Sequence, residues 1–94
     1  MTEEELRFRG ERATQLLNDP LMIEAFEAVR KEVISKWQDT PARDSDAREW
    51  LWKLHQASLR FEMIFKGFMD SGRIADDAIK HRQSLTDRLK SVIR

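Results

Sequence analysis

Ninety-four residues put this chain near the lower limit at which one hydrophobic core suffices, and its 17 basic and 17 acidic side chains cancel, which excludes an overall field towards nucleic acid or membrane. The lack of cysteine excludes a disulfide framework, a thiol nucleophile and a cysteine-ligated metal. No apolar run approaches the ~20 residues that span a bilayer, and MTEEELRFRG carries glutamates where a secretory leader carries lysines, so the reading is a soluble protein without a signal peptide.

Thr2 followed by Glu5 has the form of a capping box, and Glu3, Glu4 and Glu5 suit the positive end of a helix dipole. A first helix is expected over about 3–17 (amino-terminal segment 1–17). Its apolar positions Leu6, Ala13, Leu16 and Leu17 are sparse, Phe8 is off the stripe, and Gly10 costs ~1 kcal/mol relative to alanine. Asn18-Asp19-Pro20 is a strong boundary, since proline restrains the residue before it and suits the first position of a new helix. A second helix over 20–37 follows, amphipathic through Met22, Phe26, Val29, Val33 and Trp37.

The polar connector Gln38 to Ser45 contains Pro41, and Asp44 or Ser45 is placed to cap a third helix over 46–70. So short a connector predicts an antiparallel hairpin within 20–72. In the third helix Leu51, Leu54, Phe61, Ile64, Phe65 and Phe68 recur three or four apart, with Trp50 and Trp52 widening the stripe. The aromatic and aliphatic residues Trp37, Trp50, Trp52, Leu54, Phe61, Phe65 and Phe68 are the candidate packing or interface positions. Core and inter-helix packing is the first reading of the tryptophans, and ligand stacking the alternative. Gly67 signals a close backbone approach or a weak point, and Asp70-Ser71-Gly72 signals the helix stop. Beyond it, 73–94 reads as a separate basic helix. Ala78, Arg82, Leu85, Leu89 and Val92 alternate steps of four and three along it, as in a short coiled-coil seam. The fold expected is therefore all-α, a single domain over 1–94 built as a small helical bundle.

Chemistry-bearing patterns are sparse. His55 and His81 lack a carboxylate or second histidine at metal-ligand spacing, no glycine-rich phosphate loop occurs, and no serine sits in a strained nucleophile turn. A non-enzymatic protein is expected, without cofactor, metal or small-molecule substrate. Charge is more telling. Lys80, Arg82, Arg88, Lys90 and Arg94 face a single acid, Asp87, and Arg7, Arg9 and Arg12 form a smaller cluster. Such a helix suits salt-sensitive contact with DNA phosphates or docking on an acidic protein, although carboxyl-terminal cations also suit the helix dipole of a solvated face.

The Asn18-Asp19-Pro20 break, the Trp37 to Pro41 connector, Ala42-Arg43-Asp44 and Ser71-Gly72-Arg73 together resemble small helical proteins encoded among the head and packaging genes of tailed bacteriophages and prophages. The resemblance covers roughly residues 11–75. It implies a genomic setting, with the virion or the infected host's cytoplasm as the location, and no biochemical role. Within that setting the first expectation is a structural or adaptor protein acting by contact with phage structural proteins or with copies of itself in virion assembly. A small-terminase-like ring that contacts DNA is the second expectation, and a phage-encoded inhibitor of a host protein the third.

Overall fold

A computed structural model describes residues 1–93. The described residues form three α-helices and no strand: α1 (Glu3–Leu17), α2 (Pro20–Asp39) and α3 (Ser45–Ile93). The chain is all-α. It divides into two compact units, one made of Met1–Thr14 with the chain from Phe65 onward, the other of Gln15–Ile64.

The helix starts follow their local chemistry. Glu5 N–H donates to Thr2 Oγ1 at 3.1 Å while Thr2 N–H reaches back to Glu5 Oε1 at 3.4 Å, a closed capping box. Asp19 Oδ1 accepts from Leu21 N–H at 2.8 Å and Met22 N–H at 3.4 Å, ahead of Pro20 at the first position of α2. Thr40 closes α2, its N–H donating to Trp37 O at 3.2 Å, so α2 runs two residues past the expected Trp37. Asp44 caps α3 by accepting from Ala47 N–H at 3.1 Å.

The unit of residues 15–64 has two buried residues, Val33 at 8% and Leu51 at 3% exposure. Around them Phe26 meets Phe61 with ring centroids 6.0 Å apart. Arg30 donates from both terminal nitrogens to Glu62 Oε1 at 3.2 Å, and Arg48 lies over Trp37. Leu54 is half-buried, and Phe61 keeps half its surface exposed.

In the other unit α1 crosses α3 at a glycine pair. A methyl group placed on Gly10 would stand 2.8 Å from Gly72 Cα and 2.9 Å from Phe68 O, and one on Gly72 would stand 2.7 Å from Gly10 Cα. Ala13, Ala75 and Ile79 are buried beside the crossing. Glu3 pairs with Arg82, and Arg7 lies 3.8 Å from Asp76, which makes the crossing antiparallel. Arg9 stacks over Phe68 at 4.1 Å from the ring centroid.

Three expectations need correction here. Gly72 does not stop a helix: no glycine has positive φ, and α3 runs unbroken through it from Ser45 to Ile93, 49 residues in all, so no separate helix starts at 73. Its missing side chain admits the α1 backbone instead. Of the two readings of Gly67, close approach is ruled out: a methyl group placed there would meet nothing within 4 Å, and Gly10 is the contact point. The seam Ala78, Arg82, Leu85, Leu89 and Val92 is displaced: Gly72, Ala75 and Ile79 carry the burial, and residues 80–92 are exposed. The physical reason is that α1 begins at Glu3, level with Arg82.

Because backbone atoms cannot rotate away, Gly10→Ala and Gly72→Ala should each destabilise the protein by about 1–3 kcal/mol. Gly67→Ala, at an open helical position, should stabilise it by up to about 1 kcal/mol. Denaturant unfolding followed by circular dichroism reads both signs.

Candidate protein-interaction surface

Trp50 and Trp52 lie two residues apart on α3, on opposite sides of the buried Leu51. Each walls a groove. On one side Val33, Ile34 and Trp37 of α2 meet Leu51 and Trp52 of α3 around a cleft of about 360 Å³, edged by Arg30 and His55. On the other, Lys36 and Asp39 of α2 and the Thr40 cap meet Ala47, Trp50 and Leu51 around a cleft of about 560 Å³. The three tryptophans keep 41%, 57% and 57% of their surface exposed in chain order, which places them on the surface rather than in the core.

Trp37 is held by a residue that local patterns do not flag. The Arg48 guanidinium sits 4.0 Å from its ring centroid while donating from Nη1 to Thr40 O at 3.2 Å, so one indole face is covered and its plane is fixed. Ile34, 58% exposed, extends the same side. The cations nearby are matched within the chain: Lys36 with Glu32 at 2.9 Å, Lys53 with Glu49 at 3.5 Å, Arg30 with Glu62 at 3.2 Å. Lys36 holds the Glu32 carboxyl below the usual range through its hydrogen bond. What this surface presents is indole and aliphatic area inside a neutralised rim.

The remaining aromatic candidates lie elsewhere. Phe65 and Phe68 are half-buried in an edge-on pair with centroids 6.2 Å apart, in the unit that holds α1, and Phe68 carries Arg9 on its ring. The basic candidates split into engaged and free groups. Lys80 pairs with Asp76 at 2.9 Å, which raises its pKa. Arg82 grips Glu3 through two contacts of 2.8 and 2.6 Å, raising its own pKa and lowering that of Glu3. Arg88 and Lys90 are exposed and form no ion pair among the described residues, and Arg94 lies outside the described residues.

Among the described residues no cluster of histidine and carboxylate side chains is placed to hold a metal ion, and no helix is long and apolar enough to cross a membrane. No family model, curated protein or solved structure matches the chain.

The Glu3 to Arg82 pair yields a pH dependence with a definite sign. A carboxyl whose folded-state pKa is lowered adds stability above its unfolded pKa, near the ordinary 4.5, and loses it as pH falls through the folded value. NMR titration should place Glu3 below 4.5, and Arg82→Gln should return it to the ordinary range.

Proposed function

We propose that this chain is a non-enzymatic structural or adaptor protein that acts through helix-mediated protein contacts, in the assembly of a tailed-phage particle. The observation that carries this reading is the exposure of Trp37, Trp52 and Ile34 around one groove, inside a rim whose cations are already paired. Interfaces draw most of their energy from a few aromatic anchors at a water-excluded centre, and tryptophan is foremost among them. A neutral aromatic groove suits an apolar side chain of another protein.

In this reading α2 and the first part of α3 form the antiparallel hairpin that serves as the rigid body of a small bundle. The contacts of Phe26 with Phe61 and of Trp37 with Arg48 support that pairing, since the partners move in opposite directions along the two helices. The phage setting rests on the resemblance of residues 11–75. DNA packaging is the weaker reading, because Lys80 and Arg82 are occupied by Asp76 and Glu3.

The test is co-purification with phage particles or with one particle component. Trp37→Ala with Trp52→Ala should cut that association at least tenfold, as expected for losing anchors worth about 2 kcal/mol or more. Circular dichroism should stay unchanged. Association undiminished by the double substitution, or a protein never found with particles or their components, would overturn the proposal.

A further inference from the structure

The Trp50 side of α3 carries a second pattern. Trp50, Leu54, Ala57, Phe61 and Ile64 follow at steps of four, three, four and three, the alternation of a seam made for another helix. The chain covers little of it. Trp50 is 57% exposed, Phe61 50% and Ile64 46%, Ala57 is exposed and Leu54 half-buried. On α2 the matching side holds Ala25 and Ala28, both exposed, 11 residues or three turns before Lys36 and Asp39, which line the Trp50 groove, and Glu32 on that side is paired with Lys36.

We infer that this row is the interface of a two-fold symmetric homodimer, in which α3 of one copy packs antiparallel against α3 of a second. The size order along the row is large, large, small, large, large, and it reads the same from either end. An isologous antiparallel contact requires that property, because each position meets its mirror position on the other copy. Trp50 then falls opposite Ile64 of the second copy, Leu54 opposite Phe61, and Ala57 beside its own equivalent on the axis, where a small side chain lets the two backbones approach. An unrelated partner imposes no such palindrome.

Burial points the same way. A unit of 50 residues with only Val33 and Leu51 buried has a core far smaller than its length requires. Roughly half of Trp50, Phe61 and Ile64 and a smaller part of Leu54 are exposed, and large side chains of this kind bury about 150–250 Å² each. With the three alanines, the row offers on the order of 500 Å² per copy. That is the apolar centre of a standard interface of about 800 Å² per partner.

The absence of native cysteine makes the axis directly testable. Light scattering on the full chain at micromolar concentration should give twice 11.2 kDa. Ala57→Cys should join two copies covalently under mild oxidation or with a short bismaleimide, whereas Gln56→Cys, exposed about 100° round α3 from Ala57, should not. Ala57→Glu sets two carboxylates face to face and should raise the dimer dissociation constant at least about 100-fold. A mass other than two copies, or a Gln56→Cys variant that links while Ala57→Cys does not, would overturn the inference. Cysteine is close to alanine in size, so failure to link would not reflect failure to fold. Either result leaves the Trp37 and Trp52 groove to be judged by its own test.

Discussion

Two backbones in contact at Gly10 and Gly72 determine what α1 can contribute. Helices usually pack 8–10 Å apart, a spacing set by the side chains between them. With none at the crossing, and with Ala13 and Ala75 buried beside it, α1 lies close against α3 although it has few large apolar residues. The antiparallel register that follows brings Glu3 to Arg82 and Arg7 to Asp76. It also lays the Arg9 guanidinium on Phe68. Contact between small residues thus takes the place of a thick hydrophobic layer.

The same pair explains what was and was not legible in the sequence. Caps were legible because they are local: Thr2 with Glu5, Asp19 before Pro20, and Asp44 each act within three residues. Gly72 was not. A glycine after an apolar run is a sound stop signal, and only Gly10, 62 positions earlier, shows that it serves a crossing. Misplacing that stop also misplaced the seam to its carboxyl side, since burial follows where α1 lies. The tryptophans were found as packing or interface positions without a choice between the two, because helical spacing alone does not say how many neighbours a stripe has. The ring contacts of Arg48 and Arg9 left no local trace, for each joins residues of two different helices.

Charge is arranged to a consistent end. A chain that is more than one-third charged and has zero net charge has the means to pair cations internally, and here it does so around the aromatic groove and at Lys80 and Arg82 of α3. A cation already matched by a carboxylate has less to offer a phosphate. The basic run that looked like a nucleic-acid contact in one dimension is thereby reduced to Arg88 and Lys90 among the described residues. Uncovered apolar surface is the larger remaining feature, and it is what the proposed protein contacts rest on.

The two sides of the Leu51 seam then divide the work. Trp50 and Trp52 diverge from one turn of helix, so a partner on the Trp50 row leaves the Trp37 and Trp52 groove open. In the proposed dimer each copy keeps such a groove, and the two-fold axis makes the pair equivalent. A target that repeats the matching side chain engages both, and its second contact forms at a local concentration set by the dimer rather than by solution. Multimeric protein shells are repetitive surfaces of that kind. A weak groove doubled by symmetry can therefore hold on an assembled lattice while releasing isolated subunits, which is the discrimination an assembly adaptor needs.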